Sequence, residues 1–293
     1  MGFIGQYDPF DFCETTFQVS KTIEIPTCDE SAWLYYPKYR HVYNKMWVCE
    51  TQGISHAPYG ILPPSYPVFY KPIINLDGMG KNSFLIEKRK HFDSVENIPG
   101  FWMEYLQGDH ISHDLVVDSG KIFFYHSMIG FPDTEGKFDY WAPVETPDKV
   151  KKYIKKWIKA NLGDYRGCLN IETIDGKIIE CHLRLGDSLS MGETDFIRAL
   201  FYFFTRSKMR DVFMPNKYLV PIFISEEDFN KRSKKGVYQF SDEQEKLCEL
   251  VEFVYRDKIK EQNAAGIRVA MVRESNLVKA LRFRQCFIQS MWL

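Results

Sequence analysis

The stretch from Cys168 to Asp187, CLNIETIDGKIIECHLRLGD, constrains the fold more than any other. Asp175-Gly176 separates two runs of alternating residues, the signature of a tight hairpin whose turn needs positive φ. Successive side chains of a strand point to opposite faces, so Leu169, Ile171, Ile179, Cys181 and Leu183 form one apolar face. The opposite face gathers Asn170, Glu172, Glu180, His182 and Arg184. An antiparallel sheet buries one face and leaves the other solvated or built around a ligand. Taken alone, this hairpin leaves both readings open.

A second stretch, Tyr66 to Gly80 (YPVFYKPIINLDGMG), shifts the balance toward a ligand. Its Val, Phe and Tyr run predicts a strand ending on Lys71, followed by a loop carrying Gly78 and Gly80. An ammonium is a point charge for anionic oxygen, and glycine lets backbone N–H groups approach a phosphate closely. The same loop also reads as an ordinary turn. Paired with the hairpin, it predicts a polyphosphate and divalent-metal site, because carboxylate and amide oxygens bind Mg²⁺ and arginine holds phosphate in bidentate fashion.

The rest of the chain reads as α+β. Thr15 to Ile25 predicts a strand ending at Pro26, Asn44 to Gln52 a short helix, and HAPYGILPPSYP, with four prolines, an extended connector. SFLIEKR, GFWMEYL, SHDLVV and KIFFYHSMIG, separated by turn residues, predict an antiparallel meander. Thr146-Pro147-Asp148 reads as the hydroxyl cap and first turn of a helix whose apolar stripe runs from Val150 through Ile154, Trp157 and Ile158 to Leu162. Its lysines lie mostly opposite that stripe, as a solvated face does. Tyr35, Tyr36, Tyr39 and Tyr43 fit half-buried packing better than base stacking.

Toward the C-terminus, Glu193 to Met209 predicts a core helix and Tyr218 to Ser225 a strand. Ser241 opens a helix striped by Leu247, Leu250, Val251, Val254 and Tyr255, and Gly266 to Val272 is a strand before the basic helix NLVKALRFRQCF. This β–α–β–α order predicts a small α/β unit. Lys279, Arg282 and Arg284 serve either the surface or an acidic substrate.

Composition excludes several classes. A net charge of −1 over 293 residues implies neither a nucleic-acid nor a membrane partner. No apolar run approaches the roughly 20 residues that span a bilayer, and MGFIGQYDPFDF lacks the basic start and apolar core of a signal peptide. Gln6 stands where a myristoylation signal has Ser or Thr. Seven cysteines without CxxC spacing fit reduced thiols in a cytoplasmic protein rather than a zinc site.

From Lys45 to Asp187 the order of motifs resembles the ATP-grasp superfamily, whose members clamp ATP between two α+β subdomains. Lys45, in YNKMWVCETQGI, stands at the family's first lysine, and YPVFYKP matches its PVxxKP strand at Lys71. Asn75 to Ser83 corresponds to the mobile glycine loop, with Gly78 and Gly80. MEYLQGDHIS resembles the adenine-binding hinge, with Glu104 and Leu106 supplying backbone contacts, His110 at the ribose position and Asp114 at the acidic position beyond it. Glu180, His182 and Arg184 resemble the signature of glutamate, asparagine and arginine, while Asn170 and Glu172 fall on the preceding strand, where an acidic metal ligand is usual. The sequence departs from the family at three places: His182 replaces the asparagine, Asn170 the first acid and His110 the ribose acid.

The resemblance implies an ATP-grasp fold, with antiparallel sheets in its two subdomains, and a small C-terminal α/β unit. It divides the chain into a truncated N-terminal region at 1–44, an ATP-grasp core at 45–195 and an extension at 196–293, which packs where the N-terminal domain would otherwise sit. The implied cofactors are ATP and Mg²⁺, with Glu180, His182, Asn170 and Glu172 holding the metal and Lys71 and Arg184 acting in catalysis. The implied activity is ATP-dependent ligation of a small-molecule or peptide carboxylate to an amine through an acyl phosphate. A kinase of the same fold and a non-catalytic ATP-binding module are the alternatives. The oligomeric state stays open, homodimers being common in the family.

Overall fold

The computed structural model describes residues 2–4, 24–76, 78, 80–95, 99–132, 138–186, 194–212, 214–233, 250–253, 262–263 and 266–290. In chain order the elements are β1 (Gly2–Ile4), β2 (Glu24–Pro26), α1 (Asp29–Tyr35), a 3-10 helix (Pro37–Tyr43), α2 (Lys45–Glu50), β3 (His56–Pro58), β4 (Val68–Pro72), β5 (Phe84–Ile86), α3 (Arg89–Phe92) and β6 (Gly100–Glu104). They continue with β7 (His110–Asp118), β8 (Lys121–Pro132), β9 (Phe138–Pro143), α4 (Asp148–Asn161), β10 (Arg166–Ile174), β11 (Lys177–His182) and α5 (Thr194–Arg206). The last are β12 (Tyr218–Ile224), α6 (Glu226–Ser233), β13 (Leu250–Phe253), β14 (Gln262–Asn263), β15 (Gly266–Glu274) and α7 (Leu277–Ser290). No helix among the described residues is long and apolar enough to cross a membrane.

The chain packs into two compact units, Met1–Ser127 with Glu145–Phe213 and Met128–Val144 with Met214–Leu293. In the first, β3-β6-β4-β5 form an antiparallel sheet, and β11-β10-β7 lead a second sheet that continues into β8. Helix α4 lays Ile154, Trp157 and Ile158 against Leu115, Leu169, Ile171 and Ile178 of that second sheet. Its lysines at 149, 152, 155, 156 and 159 are exposed, as the apolar stripe requires. Tyr36 and Tyr39 pack edge-on against Tyr165, with ring centroids 5.1 and 5.0 Å apart, so this tyrosine cluster is packing.

In the second unit, β12 lies antiparallel between β9 and β15, and β13 covers the other side of β15. Helix α7 closes its core with Ala280, Phe283 and Phe287 against Val220, Ile222 and Val272. Arg284 donates to the Asp139 carboxylate at 2.5 Å and to its carbonyl at 2.8 Å, an anchor inside this unit. Arg282 and Lys279 are exposed.

Several sequence expectations are corrected here. The run from Gly100 to Gly130 is not one meander: β6 pairs with β3 and β4, while β7 pairs with β10 in the other sheet. Gly108, at φ 134°, lies in the segment where the chain changes sheets. Thr146 does not cap α4; its hydroxyl bonds Ser127 at 2.8 Å and His113 at 3.3 Å, and Pro147 takes the N-cap place. Leu250 and Val251 belong to a strand, opposite Arg273 and Val272, rather than to a helix. Long, apolar β15 offers both its edges, so a Leu-Val segment of either propensity gains more by pairing there. Among the described residues, the strands of the C-terminal unit pair antiparallel. Of the strand expected at Thr15–Ile25, only Glu24 and Ile25 lie within the described residues. Residues 241–249 and 254–255 of the expected helix, Asp77 and Met79 of the glycine loop, and Asp187 lie outside them.

Candidate functional site

The hairpin forms as its turn demands: Asp175 and Gly176 have φ of 49° and 73°, and β10 and β11 pair antiparallel. The register sets Asn170 opposite His182 and Glu172 opposite Glu180. On the far side of β10, strand β7 places Asp114 opposite Asn170 and Ser112 opposite Glu172. Two polar rows therefore cross three strands, Asp114–Asn170–His182 and Ser112–Glu172–Glu180.

Two lysines meet the second row. Asn44 caps α2 by accepting from the Trp47 N–H at 3.1 Å, which sets Lys45 as the first helical residue. The Lys45 backbone N–H donates to Ile73 O at 2.9 Å and ties the helix start to the chain just beyond β4. Lys45 Nζ then donates to Glu180 Oε1 at 2.6 Å, and Lys71 Nζ lies 3.7 Å from the same oxygen. Lys71 is 2% exposed and also donates to Ile179 O at 3.1 Å. Burial pulls the Lys71 pKa down, and Glu180 opposes that pull. Burial alone would raise the Glu180 pKa, but Lys45, His182 and Lys71 hold it well below the usual carboxylate range.

The first row is governed by a residue that no sequence pattern singles out. Asp29, the first residue of α1, is buried and accepts from Arg184 Nη2 at 2.7 Å, His182 Nδ1 at 3.0 Å and the Tyr43 hydroxyl at 3.2 Å. Burial works against its charge, but Arg184 and His182 hold its carboxyl far below the ordinary range. His182 Nε2 lies 3.4 Å from Glu180 Oε2, so carboxylates face both ring nitrogens. Burial opposes the imidazolium; Asp29 and Glu180 nevertheless raise His182 to about 9. Locally, Asp29 reads as an ordinary acid in the first turn of a helix. Its partner Arg184 is 155 residues away, and no short-range pattern points to it.

The remaining candidates surround these rows. His110 Nε2 contacts Glu172 Oε2 at 2.8 Å, and this pairing outweighs burial to lower the Glu172 pKa. Asp114 Oδ1 accepts from Asn170 Nδ2 at 2.9 Å and from the Gly186 N–H at 2.6 Å. A Cβ at Gly186 would stand 2.9 Å from Asn170 Nδ2, so glycine is needed for that approach. Glu104 sends its side chain to Lys177, at 2.5 Å, and its backbone N–H to Ser55 O, at 2.8 Å. Leu106 packs on the apolar cluster of Cys49, Ile54, Phe101, Met103 and Ile179. Gly78 and Gly80 have φ of 69° and 61°, with open space where a Cβ would stand; the backbone conformation, not crowding, calls for glycine. Their loop is drawn together by Asn75 Nδ2 donating to Gly78 O at 2.9 Å.

These residues fit an anionic nucleotide. Buried ammonium groups with three donors each, a glycine turn and an apolar cluster beside Leu106 are what phosphates and a base require. They do not fit Mg²⁺. Mg²⁺ takes oxygen ligands, whereas His182 offers only nitrogen, and Glu180 has a cation on each oxygen. Asn170, whose amide N–H groups go to Asp114 and to Ser112 Oγ at 2.8 Å, brings a neutral amide where an acid is usual, and Glu172 holds His110. Among the described residues no group of three or more His, Cys, Asp or Glu side chains is arranged to hold a metal ion.

No protein-family model matches the sequence, and neither does any curated protein. Solved structures are similar in fold. L-amino acid ligase from Bacillus licheniformis superposes with a TM-score of 0.55 at 12% identity, over 85% of this chain and 71% of that one. Phosphoribosylamine–glycine ligase from Thermotoga maritima gives 0.57 at 16%, over 93% and 83%. N5-carboxyaminoimidazole ribonucleotide synthetase from the same organism gives 0.57 at 11%, over 92% and 81%. At these identities the likeness concerns the fold, and the chain has the mixed α+β ATP-grasp fold that its motif order resembles.

Proposed function

We propose that this protein is an ATP-dependent ligase that joins a carboxylate to an amine. The observation that carries the reading is the convergence of Lys45 and Lys71, from two different elements, on the half-buried carboxylate of Glu180, with a glycine turn following the strand that carries Lys71. Three ligases of the same fold support it, each named for joining or acting on small molecules. In the proposed reaction an oxygen of the acid attacks the γ-phosphorus of ATP and the bond to the β-phosphate oxygen breaks, releasing ADP. The amine nitrogen then attacks the acyl carbon, phosphate leaves, and the amine proton passes to solvent.

The roles of the residues follow from their charge and place. Lys71 and Lys45 stabilise the negative charge on the transferring phosphoryl group, assisted by the N–H groups of the loop at Gly78 and Gly80. Arg184, oriented by Asp29, holds the oxygens of the acyl phosphate. The base lies at Leu106, with the backbone of Glu104 and Leu106 on its edge; His110 faces the ribose, and Asp114 and Asn170 brace the sheet beneath it. No step is assigned to a metal. Positioning and charge stabilisation perform the whole task, without a covalent nucleophile on the enzyme.

A second reading, a nucleotide-binding module without turnover, is favoured by His182, whose ion pairs fill the place of an expected oxygen ligand. One experiment separates the two. The chain is incubated with ATP and panels of carboxylic acids, with amines or hydroxylamine as acceptor. Acid-dependent ADP release with an amide or hydroxamate product supports the ligase. A stable phosphoester would instead make it a kinase, and ATP binding without ADP under every acid would make it a module.

A further inference from the structure

The misfit between these side chains and Mg²⁺ has its own consequence, which rests on the nucleotide reading. We propose that the site binds its nucleotide as the metal-free polyphosphate anion, with Lys45, Lys71 and His182 supplying the positive charge that a divalent cation would otherwise bring.

The geometry leaves a dication little room. A Mg²⁺ ion on Glu180 would stand about 2.1 Å from a carboxylate oxygen. Yet Oε1 already has Lys45 at 2.6 Å and Lys71 at 3.7 Å, and Oε2 has His182 at 3.4 Å. Entry of the ion displaces at least one of these cations and leaves it buried beside a double positive charge, the costly way of breaking a buried pair. His182 does not supply the missing oxygen ligand, because Mg²⁺ takes oxygen donors and the imidazole, held at Nδ1 by Asp29 at 3.0 Å, offers only nitrogen. Asn170, on the strand where an acid would add the second negative oxygen, is neutral and pinned to Ser112 and Asp114.

Lys45 and Lys71 stand at Glu180, and His182 and Arg184 at Asp29. The lysines can donate to phosphate oxygens without leaving their partners. Each ammonium has three donors; Lys45 directs one to Glu180, and Lys71 directs one to Ile179 O.

The test is calorimetric titration of ATP into the full chain, once in excess EDTA and once in excess MgCl₂, for the wild type and for His182→Asn. The expected wild-type result is an affinity in EDTA within about threefold of that in MgCl₂, or tighter. His182→Asn is expected to weaken binding in EDTA by about tenfold, roughly 1.4 kcal/mol, and to recover in MgCl₂. A wild-type affinity that falls about tenfold or more in EDTA overturns the proposal and leaves the nucleotide reading standing. Absence of ATP binding in both buffers removes the nucleotide reading, and this proposal with it. The wild-type titrations decide the matter even where His182→Asn fails to fold.

Discussion

Two buried histidines in one sheet have opposite fates. His182, on β11, sits between the carboxylates of Asp29 and Glu180 and is raised to about 9. His113, on β7, is surrounded by hydroxyls: Ser127 at 2.8 Å and Tyr125 at 3.1 Å on Nδ1, Thr173 at 2.9 Å on Nε2. Burial lowers it to about 3. Desolvation disfavours the imidazolium at both places, and only adjacent carboxylates reverse it. Hydroxyls can donate or accept and so satisfy a neutral ring without imposing a charge. The sheet thus carries a charged region around His182 and a neutral region that ties β7, β8 and β10 to the segment before α4.

The comparison breaks most sharply at Asp29. Asp29→Asn removes the buried carboxylate that faces His182 and Arg184 and should cost about 3–5 kcal/mol in urea unfolding at neutral pH. A loss under about 1 kcal/mol would mean that the charged cluster is far better solvated than its burial indicates.

Next in size are the two pH limbs. The His182 pKa rises on folding from 6.5 to about 9, so its stabilisation is complete below pH 6.5 and disappears as pH climbs to about 9, about 3 kcal/mol in all. The His113 pKa falls on folding from 6.5 to about 3, so its neutral form is no burden above pH 6.5 and costs stability as pH drops, about 3 kcal/mol by pH 4. Unfolding measured across pH should show Asp29→Asn losing the alkaline limb and His113→Gln flattening the acid limb. If either variant left its limb unchanged, the assignment of that limb would be wrong.

The smallest effect sharpens the contrast between buried and exposed charge. Lys177 and Glu104 also form a short ion pair, at 2.5 Å, but their side chains are 45% and 38% exposed. Lys177→Ala should cost under about 1 kcal/mol. A cost as large as that of Asp29→Asn would show that distance, rather than burial, sets the strength of these pairs.

What was legible in the sequence follows the range of each interaction. The hairpin and its polar face were readable because Asp175-Gly176 and the two-residue alternation act locally. Lys45 and Lys71 were readable as the start of a helix and the end of a strand. Asp29 was not, since its meaning lies in contacts with β11 and Arg184 across more than 150 residues of sequence. Thr146 was misread because a buried histidine claimed the hydroxyl that a cap would have used. Leu250 and Val251 fit helical spacing and strand pairing equally well, and β15 decided between them. The turn at Gly108-Asp109 looks the same whether a chain reverses within one sheet or moves to another.

The central claim is the proposal that the site at Lys71 takes a nucleotide. Calorimetric titration of ATP into the wild type and Lys71→Met, a change that keeps the apolar stem and removes the charge, tests it most directly. The account predicts saturable binding by the wild type and at least about tenfold weaker binding by a folded Lys71→Met, roughly 1.4 kcal/mol. Equal affinities in the two proteins, or no binding by the wild type, would contradict it.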